Sequence, residues 1–237
     1  MLPYKFKPLR YRQRWFCYLD LLGFTQLVQN ESIARVMPTY YEVIETLKKH
    51  GAAFKAKKLL YSWFSDTFII YSNSDTYDDF HSVEYAGRCF FEQLIANQIP
   101  VRGALTYGAL YSQLKNNVFV GPALIDAYKH AENQDWLGFV LTPAAKWKLH
   151  SSDELHLLGN YSPIEDASMF KDPANGPVLG FSFKNAGSGG HNPYVAALKS
   201  MRAAAAEEYR GKYDRTLSFI ETCSKLPISF GRTPSVS

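Results

Sequence analysis

Cysteine is scarce: three in 237 residues, Cys17, Cys89 and Cys223, with no CxxC pair and an odd total. That excludes a disulfide framework and a cysteine zinc site, and suits reduced thiols in a cytoplasmic protein. No apolar run reaches ~18 residues, so no membrane span is expected. The opening MLPYKFKPLRYRQR is basic but has no apolar centre, and does not read as a signal peptide. An excess of one charge is also missing. The net charge of +4 is too small to argue for nucleic acid and is compatible with a small polyanionic substrate. The histidines, His50, His81, His130, His150, His156 and His191, show no ligand spacing. The GSGG run at 187–190 does not fit the spacing of a dinucleotide fingerprint and reads as linker. There are no internal repeats. What remains plentiful is apolar surface, 46% hydrophobic and 15% aromatic residues, enough to bury a substantial core.

Residues 15–27, WFCYLDLLGFTQL, organise the chain. An apolar and aromatic run of buried-strand length ends on a carboxylate, Asp20, and is followed by a glycine turn and a Phe-Thr pair that can open a helix. An acid there can hold a metal ion beside N–H groups facing phosphate oxygens. It can equally cap the helix. Residues 59–72, LLYSWFSDTFIIYS, then read as two strands joined by a tight turn at Ser65-Asp66. Such a turn is ordinarily Asn-Gly or Gly-rich; this one carries a second carboxylate. Two acids at strand ends, separated by a helical segment, match a two-metal phosphoryl-transfer site on a βαβ sheet.

In chain order, 1–13 is a basic lead-in and 34–49 an amphipathic helix with Gly51 as its C-terminal cap. Strands follow at 54–64 and 67–71, then a loop at 72–79 and a helix at 80–98 ended by Ile99-Pro100. Residues 101–108 read as a strand, 108–117 as a polar excursion, 118–120 as a strand and 123–132 as a helix with Pro122 at its first turn. Next come a strand at 136–142, a helix at 143–150, an edge strand at 155–158, loop over 159–176 and a strand at 177–183. The linker 184–193 leads to helices at 195–209 and 213–223 and a frayed tail. The order β-α-β-β-α-β with a further α-β predicts an α+β fold: a ferredoxin-like split-βαβ sheet with helices on one face, plus C-terminal helices. The domain spans 14–183, with 184–237 as linker, helices and tail.

LDLLGFTQL, FSDTF, VRGALTYG and VGPALIDAY together resemble the class III nucleotidyl cyclases over roughly residues 14–143. The Ser-Asp turn and the GPALIDAY stretch before Trp-Leu-Gly are similar to the PycC pyrimidine cyclases of the Pycsar anti-phage systems. The resemblance implies a head-to-tail homodimer that converts UTP or CTP into 3′,5′-cyclic UMP or cyclic CMP and pyrophosphate, a messenger for a separate cyclic-nucleotide effector. It implies two divalent ions, Mg²⁺ or Mn²⁺, held by Asp20 and Asp66 with the backbone carbonyl of Leu21. It further implies a triphosphate cradle at Leu22, Gly23, Phe24 and Thr25. The purine-reading positions fall on Ser62 and Val118, neither of which matches an adenine or guanine reader, and Tyr61 and Trp63 flank Ser62 on the opposite strand face. The family's transition-state Arg falls on Lys129, and its ribose-orienting Asn on Ile125, with Asp126 one residue on. Arg102 and Lys58 are other cations available to the site. A purine cyclase with different base recognition, or an inactive cyclase-fold nucleotide sensor, are the alternative readings. Retention of both acids favours an enzyme.

Overall fold

The computed structural model describes residues 10–29, 59–151, 158–172, 177–183 and 192–225, together with seven helical positions between 30 and 58. The centre is β1 (Arg12–Leu21), hydrogen-bonded along its length to β4 (Val101–Gln113) and also to β3 (Thr67–Tyr71), antiparallel to both. Its alternation explains why it sits there. Trp15, Cys17 and Leu19 enter one apolar core, Phe16 and Tyr18 the other, so both faces are buried. Strand β2 (Leu60–Phe64) forms a hairpin with β3, and the first four strands run in the order β2-β3-β1-β4, the split-βαβ arrangement.

Beyond β4 the sheet continues through β6 (Phe139–Leu141), parallel to β4, then β8 (Leu179–Phe181) and β7 (Tyr161–Pro163), each antiparallel to its neighbour. Strand β5 (Val118–Val120) pairs with the far end of β4. Two sequence expectations change here. β4 is longer than 101–108, because β1 begins at Arg12 and pairs as far as Leu110, after which β5 pairs Tyr111–Gln113. β7 lies in the stretch read as loop. The expected edge strand at 155–158 falls almost wholly outside the described residues, as do the lead-in, most of the 34–49 helix, the start of the 54–64 strand, most of the 184–193 linker and the tail.

Helix α1 (Phe24–Gln29) follows β1. Helix α2 (Tyr77–Ala96) starts earlier than expected, because Thr76 caps it by accepting from the Asp79 N–H, with Asp78 and Asp79 in its first turn. It buries Phe80, Val83, Phe90, Phe91, Leu94 and Ile95, and each such side chain contributes ~1.5–3 kcal/mol of apolar burial. With α2, helices α4 (Pro143–Ser151) and α5 (Pro193–Ala204) also contribute to the first core. Helix α3 (Pro122–Glu132) instead packs Ala123, Ala127 and Ala131 against Phe16, Tyr18 and Ala104. The α+β architecture is as expected, but helices cover both faces, because the small alanine stripe of α3 fits the second face closely. The C-terminal helices break at Ala205, which is extended, and α6 (Glu207–Lys225) then runs unbroken through Gly211. α6 supplies Tyr213 and Ile220 to one core and Phe219 and Cys223 to the other. No helix among the described residues is long and apolar enough to cross a membrane.

Candidate active site

Asp20 occupies the penultimate position of β1, opposite Thr67 on one side and Arg102 on the other, and is 8% exposed. Burial pushes its carboxyl up to about 6; Arg102 opposes this, and the charges of Glu132 and Asp66 add to the rise. Arg102 donates from Nε (3.0 Å) and Nη2 (2.9 Å) to a single oxygen, Asp20 Oδ2. The same guanidinium donates from Nη1 to the Glu132 carbonyl oxygen (3.1 Å) and from Nη2 to Glu132 Oε1. The C-terminal end of α3 is thereby tied to the end of β1.

Asp66 reaches the same end of the sheet through the β2–β3 turn. Ser65 adopts φ 55°, in the left-handed region that closes a two-residue hairpin. The Leu21 N–H then donates to the Asp66 carbonyl oxygen at 2.9 Å. This main-chain bond places the turn beside Asp20, and Asp66 is only partly buried. Tyr18, whose phenol is pushed up to about 12 chiefly by burial, shares a hydrogen bond of 3.2 Å with Thr67.

The glycine turn follows at once. Leu22 N–H donates to Pro100 O (2.9 Å), so the amide of Leu22 is already engaged. Gly23 has φ +70°, and a Cβ there would meet only Gln26 Oε1 at 3.9 Å; glycine is required by conformation, not by crowding. Phe24 and Thr25 open α1.

The expected base-reading residues separate. Tyr61 stacks on Phe68 (centroids 6.1 Å) and packs against the first core. Ser62 lies on the opposite face and lines a pocket of about 450 Å³ with Thr67, Ile69, Asn117, Phe119 and Leu124. Phe119 and Asn117, not Val118, are the β5-side walls, because alternation turns Val118 away. Lys129 lies on the exposed face of α3 with Ile125 and Tyr128. Among the described residues no ion pair joins Lys129 to Asp20 or Asp66; the α3 residue that reaches the acids is Glu132, through Arg102. Asp126, considered for the ribose, turns inward. It accepts from Thr106 Oγ1 (2.5 Å) and pairs with His130 (3.3 Å). Burial works to raise its carboxyl, but these partners outweigh it and hold it below the ordinary value.

Glu132 was invisible in the sequence as a site residue. Its one signal is a position three residues after Lys129, on the same helix turn. Arg102 was legible only as a nearby cation.

The donor set tests the fit to a divalent ion. Two carboxylates lie close enough that Asp66 raises the Asp20 carboxyl, and Arg102 engages only Oδ2 of Asp20. Hard oxygen donors suit Mg²⁺ or Mn²⁺. No group of three or more His, Cys, Asp or Glu forms a metal cluster among the described residues. Two carboxylates are not a full ligand set, so an ion held by Asp20 and Asp66 would have to complete its shell from outside these side chains, as Mg²⁺ commonly does with water and phosphate.

No protein-family model matches the chain, and no curated protein matches it. Solved structures do. The catalytic core of a rhodopsin-guanylyl cyclase with converted specificity, in complex with ATPαS, superposes with a TM-score of 0.51 at 11% identity, over 72% of this chain and 96% of that one. A non-canonical dimeric guanylyl cyclase domain of the RhoGC fusion protein from the aquatic fungus Blastocladiella emersonii gives 0.50 at 11%, over 72% and 96%. A bacterial light-regulated adenylyl cyclase gives 0.50 at 11%, covering 87% of this chain and 59% of that one. The chain has the fold of the class III nucleotidyl cyclase catalytic domain.

Proposed function

We propose that the protein is a nucleotidyl cyclase acting on UTP or CTP as a homodimer. The observation that carries this reading is the pairing of Asp20 and Asp66 at one sheet end, fixed by the Leu21–Asp66 main-chain bond, directly before the Gly23 turn. The cyclase fold supports it. In the reaction the ribose 3′-oxygen bonds to the α-phosphorus, the bond to the bridging β-phosphate oxygen breaks, pyrophosphate leaves and the hydroxyl proton passes to solvent. When bound, divalent ions supply charge neutralisation and a lowered hydroxyl pKa.

The chain's residues divide the remaining work. Asp20 and Asp66, with the Leu21 carbonyl, hold the ions. Gly23, Phe24 and Thr25 present N–H groups to the phosphates; Leu22 shapes the turn, since its amide bonds Pro100. Arg102 fixes the orientation of Asp20. The Ser62 pocket, walled by Phe119 and Leu124, receives the base. Phe119, Leu124 and Ile69 in its walls, with no lysine or carboxylate among its described lining residues, support a one-ring base. Dimer formation is supported by exposed apolar side chains, Phe64 (82% exposed) on β2 and Ile125 (54%) and Tyr128 on α3; in the head-to-tail dimer that the motif resemblance implies, Lys129 of one protomer would serve the acids of the other. The motif resemblance supports a product that signals to a separate effector in anti-phage defence.

The test is incubation of the purified protein with ATP, GTP, CTP and UTP, with Mn²⁺ and with chelator, products identified by mass. Cyclic UMP or cyclic CMP formed only with metal is the expected outcome. A purine product overturns the pyrimidine assignment, and no product from any nucleotide overturns the enzyme reading.

A further inference from the structure

A groove of about 410 Å³ separates the glycine turn from the C-terminal helices. Gly23 and Thr25 line it from one side, Tyr209 and Lys212 of α6 from the other, with Leu137 between. Lys212 is the lysine among these lining residues. Its Nζ lies 3.3 Å from Asp135 Oδ1 with the side chain 21% exposed. Asp135 has a second cation: Arg215 donates from Nη2 to Oδ2 and from Nε to the Asp135 carbonyl oxygen (2.7 Å). An ammonium has three donors, so Lys212 can keep Asp135 and still donate into the groove. Lys171, close by, is held below its ordinary pKa chiefly by burial, with Arg102 and Lys212 lowering it further and Glu132 and Asp135 raising it. A phosphate group entering the groove from the Gly23 side would meet the spare donors of Lys212.

We propose that Lys212, carried on α6 of the same chain, binds the terminal phosphates of the nucleoside triphosphate, and so the pyrophosphate that leaves; this rests on the triphosphate lying at the Gly23 turn. The C-terminal helices are then part of the substrate site as well as of the core.

The test is calorimetry on the full chain with Mn²⁺ present, titrating inorganic pyrophosphate and, separately, 3′-deoxy-UTP, which cannot cyclise. Pyrophosphate makes the result independent of the base. Lys212→Gln is expected to weaken both ligands by ~tenfold, the loss of one charge-assisted bond, with Mn²⁺ affinity unchanged and the protein still folded at the titration temperature. Lys212→Arg is expected to retain most of the affinity. Unchanged affinity in Lys212→Gln, with the wild type binding, overturns the role of Lys212 and leaves the cyclase reading standing. A variant that loses Mn²⁺ affinity as well, or a Lys212→Arg variant that is impaired as much as Lys212→Gln, makes the lysine a structural partner of Asp135 alone and also overturns the role. A wild type that binds neither ligand, or an Asp20→Ala variant that binds Mn²⁺ undiminished, overturns the cyclase reading and this inference with it.

Discussion

Arg102 and Asp20 face each other across β4 and β1, and two guanidinium nitrogens converge on one carboxylate oxygen. The pair is almost wholly buried, with side-chain exposures of 7% and 11%. A carboxylate in that position without its arginine is an uncompensated buried charge. Arg102→Ala is expected to cost ~3–5 kcal/mol at pH 8, and less at pH 5, where Asp20 carries a proton. Urea denaturation at the two pH values checks this.

Asp20 itself sets a pH dependence. Its folded carboxyl, at about 6, lies above the unfolded value of 3.8, so the folded state binds more protons between them. The wild type therefore loses stability as pH rises through that window, by up to ~3 kcal/mol. Asp20→Asn lacks this titration, and its stability relative to wild type should improve by about that amount from pH 4 to pH 8. A flat difference across the range would remove Asp20 as the titrating group. Mn²⁺ affinity should fall correspondingly below pH ~6, since the ion needs the ionised form.

Asp66→Ala separates chemistry from folding. The bond that positions the turn uses the Asp66 carbonyl oxygen, which alanine keeps. The expected outcome is at least a ~10²-fold loss of turnover with an unchanged melting curve.

Base choice should follow the Ser62 side of β2. Tyr61→Ala removes a ring stacked on Phe68 in the first core and should lower stability without shifting pyrimidine-over-purine preference. Phe119→Ala enlarges the pocket beside Ser62 and should admit purines. Product ratios from mixed nucleotide pools measure both.

Gly103→Ala tests the packing next to Arg102. A Cβ there would lie 2.8 Å from Leu19 Cδ2, 2.9 Å from Phe139 Cδ2 and 3.0 Å from the Tyr18 carbonyl oxygen. Overpacking of ~1–3 kcal/mol is expected, read as a lower denaturation midpoint.

The sequence made some of this legible and hid the rest for physical reasons. Strand β1 could be read because Trp15 to Leu19 is buried on both faces and leaves an unbroken apolar run. The Ser65-Asp66 turn could be read because apolar runs of matching length flank it. The far end of β4 was hidden because Ser112 and Gln113 pair only with the short β5, where polar side chains are tolerated. β7 was hidden because Tyr161–Pro163 is an edge strand with a proline, which pattern alone assigns to loop. The Arg102–Asp20 pair joins residues 82 positions apart, a relation set by strand register and absent from any local motif. Asp126 and Lys129 share one helix, yet only the packing of α3 decides that one faces Thr106 and the other solvent.

The bond from the Leu21 amide to the Asp66 carbonyl is made by atoms every residue possesses. Spacing between the two acids is consequently inherited from backbone register, and almost any neighbouring side chain can change while that spacing persists. Drift in the surrounding side chains is thus decoupled from drift in the geometry of the two acids.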